Sequence, residues 1–329
     1  MTQTWAKNLQ DTDKVIDIFY KSCFKSPGCK LRKSSDKDWH DIQDRVEKFM
    51  AQLALDPIPI LADTIITYLT DVDFKQLIFI SLYSPNVMFP GVAVIIDQAM
   101  NGNYQLIHAF ISPQLAAMHD ACPINGTFPN MHVTPDATPA ILCGDGDDAT
   151  GLGLKDWAEY IAELKGQSPY VGPTWSEIRF SCSNWKFRPK YRFTGPFETP
   201  EADSSLVDGK PAAPILFLST SLDPVTPLRN AHAMSKRHPG SVVLEQDSAG
   251  HCAVPSSPSE CTATALKTYF ANGTLPEPGT VCRGECKPYE RCQASAQGLR
   301  KSFTPVFGLP DLQEKADRLM KMYEMFANM

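Results

Sequence analysis

Two apolar segments in the second half of the chain most constrain its fold, because a helix-like segment separates them. Residues 215–218 form a short continuous apolar run, which is typical of a strand buried on both faces. A helix pattern over residues 226–237 follows, a second strand begins at residues 241–245, and another helix pattern covers residues 258–271. Because a crossover helix joins the two strands, they are expected to pair in parallel. The sequence therefore predicts an α/β fold around this unit.

A carboxylate and a histidine follow these two strands. Asp223 lies in the loop after the first strand, and His251 lies in the loop after the second. Functional groups in parallel sheets gather at the carboxyl ends of the strands, so neighbouring strands would bring these loops together. Asp223 would then orient the His251 imidazole and stabilise its cation, as in the acid–base half of a hydrolytic triad. The alternative is structural: Asp223 caps the helix that begins near Thr226, and His251 is an ordinary loop residue.

The chain before residue 200 has a different pattern, dominated by amphipathic helices. Residues 188–214 are rich in proline, glycine, serine and acidic residues, and we interpret them as a connection. We therefore divide the chain into a large helical cap or lid (residues 1–200), an α/β core segment (residues 201–300) and a C-terminal amphipathic helix (residues 301–329).

Two segments of the helical part make this interpretation specific. Residues 156–165 place Trp157, Tyr160, Ile161 and Leu164 on one helix face. Residues 91–100 are expected to form a helix that begins after Pro85 and Pro90.

Composition and motifs exclude several classes of function. Lys+Arg number 31 and Asp+Glu number 37, for a net charge of −6, so nucleic-acid binding through phosphate neutralisation is not expected. The apolar runs are too short to cross a bilayer, and the N-terminus has no apolar signal-peptide segment. No dinucleotide or phosphate-binding loop and no paired C-x₂-C zinc pattern occurs, so we expect no cofactor and no metal.

The cysteines point to an oxidising compartment. The chain has 10 cysteines, and several lie in loops rich in glycine and proline. Two N-x-[ST] sequons, at Asn125 and Asn272, agree with a secreted design although no signal peptide is evident. We expect disulfides; buried free thiols are the alternative.

Several motifs together carry a family resemblance. Those around the two loops are Ser219-Thr-Ser-Leu-Asp-Pro-Val-Thr-Pro, Asp247-Ser-Ala-Gly-His-Cys, Tyr269-Phe-Ala-Asn-Gly-Thr-Leu-Pro and Gly279-Thr-Val-Cys. Upstream, Leu82-Tyr-Ser-Pro and Ile141-Leu-Cys-Gly-Asp agree with them. The chain from about residue 5 to about residue 292 resembles the tripeptidyl-aminopeptidase-like α/β-hydrolases, especially fungal secreted ones. The resemblance implies a partial α/β-hydrolase fold beneath a helical cap, with Asp223 and His251 as the acid and base of the triad.

The nucleophile of that family has no counterpart in this sequence. The family carries it in a G-x-S-x-G turn, and the nearest match, Gly166-Gln-Ser-Pro-Tyr, lacks the second glycine. Proline after Ser168 also removes the backbone N–H that the turn would contribute to an oxyanion hole. Ser219 and Ser221 lie on the acid loop and are not expected to be nucleophiles, and for Cys252 we expect a disulfide.

These observations leave three hypotheses open. The first is a serine-hydrolase relative, an exopeptidase or esterase by resemblance, that acts on a peptide or small molecule and keeps the acid and base without the nucleophile. The second is an inactive binding protein, or a non-covalent acid–base catalyst in a fungal biosynthetic pathway. The third is a truncated product. Two short parallel strands cannot bury both faces alone, so we also expect a partner chain, self-association or repacking of the cap to complete the sheet.

Overall fold

The computed structural model describes residues 5–62, 65–111, 137–195 and 214–290. The chain divides into two compact units, each assembled from separate stretches. Unit 1 comprises Met1–Lys7, Val46–Gln76 and Ile95–Thr194, and unit 2 comprises Asn8–Arg45, Leu77–Val94 and Gly195–Met329. The division of the chain at residue 200 stays a prediction, and the expected helix over residues 301–329 lies outside the described residues.

Helices make up most of the described secondary structure. The helices are α1 (Thr12–Lys25), α2 (Trp39–Leu55), α3 (Asp71–Ser81), α4 (Pro85–Met100), α5 (Ala137–Asp145), α6 (Leu154–Gln167), α7 (Gly172–Phe180), α8 (Leu228–Ser235), α9 (Ala253–Ser256) and α10 (Glu260–Asn272). The strands are β1 (Ile58–Ala62), β2 (Ile65–Leu69), β3 (Leu216–Leu222), β4 (Val242–Ala249) and β5 (Val281–Arg283).

Unit 2 contains a parallel sheet in the order β3–β4–β5. The two predicted strands are confirmed as β3 and β4, which pair from Leu216 opposite Val242 to Leu222 opposite Ala249, with one register shift between Thr220 and Leu222. The sequence did not predict β5, because its three residues are too few to show an alternating pattern. The sheet and its helices confirm a partial α/β fold.

The crossover helices of unit 2 are bounded by identifiable residues. Helix α8 begins after Pro227, slightly later than the sequence predicts. Helix α10 begins at Ser259, whose hydroxyl oxygen accepts a hydrogen bond from the Thr262 N–H, and it ends at Gly273 in the left-handed conformation. A disulfide between Cys261 and Cys282 then ties this helix to β5.

Unit 1 contains helices and an unexpected hairpin. Strands β1 and β2 pair in antiparallel register, with Ile58 opposite Leu69. The β-branched residues of this stretch favour strands, although the sequence analysis interpreted the region as helical. In α6, Trp157, Tyr160 and Leu164 are buried, as the helical spacing predicts.

Helix α4 begins earlier than predicted. It starts at Pro85 and contains Pro90, whereas the sequence analysis began the helix after both prolines. Proline fits the first helical position because that residue needs no backbone N–H, so Pro85 starts the helix rather than preceding it.

Disulfides occur in both units. Cys23 pairs with Cys29 and Cys261 with Cys282 in unit 2, and Cys143 pairs with Cys182 in unit 1. The expectation of disulfides is therefore confirmed. Among the described residues, the helices are too short or too polar to span a bilayer.

The packing of α6 against α7 depends on the missing side chain of Gly172. A Cβ atom there would lie 2.7 Å from the backbone carbon and oxygen of Leu164. We expect Gly172→Ala to lower the free energy of unfolding by about 1–3 kcal/mol, since rigid backbone must move. Gly166→Ala is the matched control: nothing lies within 4 Å of its Cβ position, and this helical site should be neutral or slightly stabilised. Denaturant unfolding of both variants measures the difference; equal midpoints would contradict this account.

Candidate active site

The carboxyl ends of β3 and β4 bring together the two residues that the sequence analysis selected. Leu222 pairs with Ala249 at the ends of these strands, and Asp223 and His251 follow within two residues. His251 Nδ1 lies 3.1 Å from Oδ2 and 3.2 Å from Oδ1 of Asp223. Residues 28 positions apart in the chain thus form one hydrogen-bonded pair.

The two members of the pair differ in exposure. The Asp223 side chain is 1% exposed, whereas that of His251 is 29% exposed. All the side-chain contacts to Asp223 and Thr226 use His251 Nδ1, with Thr226 Oγ1 at 3.3 Å. The buried carboxylate therefore holds the ring through Nδ1, and Nε2 makes no contact with Asp223 or Thr226.

Three backbone N–H groups also donate to the Asp223 carboxylate. Val225 and Thr226 donate to Oδ1 at 2.9 and 2.7 Å, and Cys252 donates to Oδ2 at 3.0 Å. The structural alternative from the sequence analysis is therefore partly true, since Asp223 organises the turn that leads into α8. It does so while holding His251, so the two roles coexist.

These contacts shift both pKa values in opposite directions. Burial of Asp223 raises its pKa, but the hydrogen bonds from His251, Cys252, Val225 and Thr226 outweigh burial and lower the pKa below its usual 3.8. Hydrogen bonds to Asp223 and then to Cys252 raise the pKa of His251 from 6.5 to about 10, against the opposing effect of burial. At neutral pH the pair is therefore an imidazolium and a carboxylate.

The His251 loop is fixed by close backbone contacts. The Gly250 N–H donates to the Leu222 carbonyl at 3.0 Å, and the Gly250 carbonyl accepts from Thr220 Oγ1 at 2.8 Å. Gly250 has a φ of +126°, and a Cβ there would lie 2.9 Å from Pro85 Cδ and 3.0 Å from the Tyr83 carbonyl oxygen. Glycine is required here because both the backbone conformation and the space exclude a side chain.

Residues distant in the chain support the site, and sequence reasoning did not identify them. The His251 N–H donates to the Tyr83 carbonyl at 2.9 Å, and the Tyr83 ring meets the imidazole edge-on with centroids 5.0 Å apart. On the other loop, Thr12 Oγ1 donates to the Pro224 carbonyl at 2.6 Å and Asn8 Nδ2 donates to the Val225 carbonyl at 2.9 Å. The motif Leu82-Tyr-Ser-Pro was the one sequence signal near these contacts.

The serines considered as nucleophiles all have structural partners. Ser168 is buried in unit 1, where its hydroxyl oxygen accepts from the Val171 N–H at 3.1 Å. The Ser219 hydroxyl donates to the Thr220 carbonyl at 3.2 Å, and the Ser221 hydroxyl donates to Glu245 at 2.6 Å.

The expectation of a disulfide at Cys252 is wrong. Cys252 is exposed and is not in a disulfide, and its φ is +64°. Within the described ranges, His, Cys, Asp and Glu side chains do not form a group of three or more that would hold a metal ion.

Comparison with known families bears on this region. A family model described as TAP-like protein, of the α/β-hydrolase class, matches residues 168–282. This part of the chain is similar to the TAP-like α/β-hydrolases. Its boundaries include β3 and β4 together with Asp223 and His251. A search of curated proteins finds no match for the chain.

The Asp223–His251 ion pair should make the stability of the protein depend on pH. The raised pKa of His251 stabilises the fold fully below pH 6.5, and this contribution is lost as the pH rises through about 10. The lowered pKa of Asp223 contributes above pH 3.8 and is lost as the pH falls through its folded value. Asp223→Asn should therefore lower the free energy of unfolding most between these limits. The difference from the unaltered protein should become smaller as the pH approaches 10.

Denaturant unfolding across this pH range provides the measurement. Glu277→Gln, which removes an exposed carboxylate at another place in unit 2, is the control and should leave the pH dependence unchanged. A deficit of Asp223→Asn that does not vary with pH would contradict the ion-pair assignment.

Proposed function

We propose that the Asp223–His251 pair is the acid–base half of an acyl-transfer site that hydrolyses peptides or esters. The observation that carries the proposal is the bond between His251 Nδ1 and the buried Asp223 carboxylate, at 3.1 Å. This is the contact through which a triad carboxylate orients its histidine and stabilises the imidazolium. The match of this region to an α/β-hydrolase family gives independent support.

The proposed reaction assigns one proton transfer to each step. The neutral His251 accepts, at Nε2, the proton of a hydroxyl nucleophile as its oxygen bonds to the substrate carbonyl carbon. Asp223 stabilises the resulting imidazolium, which then protonates the departing amine or alcohol as its bond to carbon breaks. In the second half of the reaction His251 accepts a proton from water as the water oxygen bonds to the carbonyl carbon. The imidazolium then protonates the oxygen of the nucleophile as its bond to carbon breaks, which releases the acid and restores the nucleophile.

We further propose that the nucleophile does not come from the described residues. The family's G-x-S-x-G turn does not occur in the sequence, and Ser219 and Ser221 are engaged with sheet residues. The nucleophile would instead arrive with another segment or a partner chain that completes the sheet.

The edge of β3 supports this arrangement. Among the described residues, β3 pairs on one side only, and its residues Leu216, Phe217 and Leu218 are only half-buried. The strand has no charged residue and no proline, which are common means of blocking edge pairing. A strand added at this edge would cover these apolar side chains and lie beside the loop that carries Asp223.

The pKa of His251 indicates how a docked segment would activate this residue as a base. With a pKa of about 10, His251 holds its proton at neutral pH and cannot accept another. A docked segment that buries the exposed part of the ring would disfavour the charged form and lower its pKa toward neutrality. The pair would thus become a competent base at neutral pH only in the completed site.

The same charge state favours a second candidate, a non-covalent acid catalyst. An imidazolium with a pKa of about 10 can donate a proton from Nε2 to a bound substrate at neutral pH. This candidate requires no nucleophile. The pH dependence of the rate distinguishes it from the first: general-base catalysis rises as the pH approaches 10, whereas general-acid catalysis falls.

A test that supplies the nucleophile from solution isolates the acid–base pair. We expect the protein to accelerate transfer of the acetyl group of p-nitrophenyl acetate to trifluoroethanol, increasingly as the pH rises toward 10. Near pH 10, where the His251 ring of the unaltered protein loses its proton, His251→Ala should reduce the rate to the solution background. At the same pH, Asp223→Asn should reduce it about tenfold or more, because positioned general bases contribute roughly 10²–10⁴ in rate.

The control replaces another histidine. His232→Asn, which changes an exposed histidine on α8, should keep the full rate. An unchanged rate in His251→Ala would contradict the acid–base role. A separate fluorophosphonate incubation tests the nucleophile: we expect no serine adduct, and a labelled serine in the isolated chain would overturn that part of the proposal alone.

A further inference from the structure

A second concave site lies within unit 2, apart from the Asp223–His251 pair. It is a cavity of about 810 Å³ between α1, the first residues of α4, the ends of β3 and β4, and residues 283–290. Neither Asp223 nor His251 lines it. Its volume is in the range of cavities that hold small molecules, roughly 300–1,000 Å³.

We propose that this cavity binds a small organic anion with an apolar body. Its charged lining consists of the four cations Lys21, Lys25, Arg283 and Lys287 and the two acids Asp247 and Glu290. The cations outnumber the acids, so the cavity attracts negative charge even though the chain as a whole is acidic, with a net charge of −6.

Most of these cations are available to a ligand. Lys21 is engaged, since its Nζ lies 2.8 Å from Asp17 and over the ring of Trp39. The other three side chains are exposed, and they form no ion pair with the described residues. Arg283 is the last residue of β5, and Lys287 lies four residues further along the chain on the same wall. They are therefore the first candidates for contact with the anionic group.

The beginning of α4 adds to the positive potential. Pro85 and Asn86, its first two residues, line the cavity. Pro85 has no N–H and the N–H groups of Val87 and Met88 donate to the Ser84 carbonyl, so the contribution here is that of the aligned peptide dipoles, which favour negative charge at this end. The helix has 16 residues, long enough for this effect to act together with the cations.

The walls are held in place without a ligand. Tyr289 Oη lies 3.2 Å from the Phe89 carbonyl and 3.3 Å from Cys29 Sγ, which is itself in a disulfide. Asn86 Nδ2 donates to the Ser256 carbonyl at 2.8 Å and to the Cys286 carbonyl at 3.2 Å. A cavity fixed in this way requires little ordering on binding.

The rest of the lining suits an apolar body. Ile18, Leu222, Ala249, Pro288 and Tyr289 contribute apolar walls between the charged residues. A carboxylate that carries an aromatic or aliphatic group satisfies both parts of the cavity, because its charge meets the cations while its body is removed from water.

Calorimetric titration with 2-naphthoate tests the proposal, and 2-naphthamide serves as the neutral probe of the same shape. We expect one naphthoate to bind per chain, at least about tenfold more tightly than the amide, a difference of about 1.4 kcal/mol. The double variant Arg283→Gln/Lys287→Gln should lose at least that factor for naphthoate and leave binding of the amide unchanged.

Lys267→Gln is the matched control, because it removes an exposed cation of α10 that does not line the cavity. It should bind naphthoate as the unaltered chain does. Equal affinity for the two probes, or equal naphthoate affinity in the double variant and the control, would overturn the proposal. His251→Ala should not change naphthoate binding, so this result is independent of the proposed function.

Discussion

The buried carboxylate of Asp223 is the constraint on which the described site depends. A carboxylate with 1% exposure is stable only if its charge is compensated, and here three backbone N–H groups and the His251 imidazolium compensate it. The bonds from His251 and Cys252 join the loop after β4 to the loop after β3, and those from Val225 and Thr226 hold the turn before α8. Geometry and charge therefore depend on the same group. Removing the carboxylate would remove the contacts that hold the His251 ring and the turn before α8, and the pKa of His251 would no longer be raised.

The sequence predicted the architecture near the site where hydrophobic pattern alone determines it. Residues 215–218 and 241–245 became adjacent parallel strands because a buried apolar run joined by a crossover helix permits few other arrangements. The hairpin of β1 and β2 and the start of α4 at Pro85 were not predicted. The local pattern of the hairpin is compatible with a helix or with strands, and a proline such as Pro85 can either begin a helix or end one. Tertiary contacts decide between these alternatives.

The site was predictable to the same extent. Chain order and strand ends were enough to select Asp223 and His251, since both lie directly after strands that must be neighbours. Tyr83, Asn8 and Thr12 were not predictable, because they support the two loops from helices and turns far away in the chain. The free thiol of Cys252 was not predicted either. The number of cysteines indicates that disulfides form, but it does not indicate which sulfur atoms lie close enough to pair.

The charge state of His251 is the most direct test of this account. ¹⁵N-detected NMR of the imidazole at pH 7 reports which nitrogens carry protons. We expect protons on both Nδ1 and Nε2, a downfield Nδ1 proton that disappears in Asp223→Asn, and a titration midpoint far above 6.5, near 10. A neutral ring at pH 7 that titrates near or below 6.5, with or without Asp223, would contradict it.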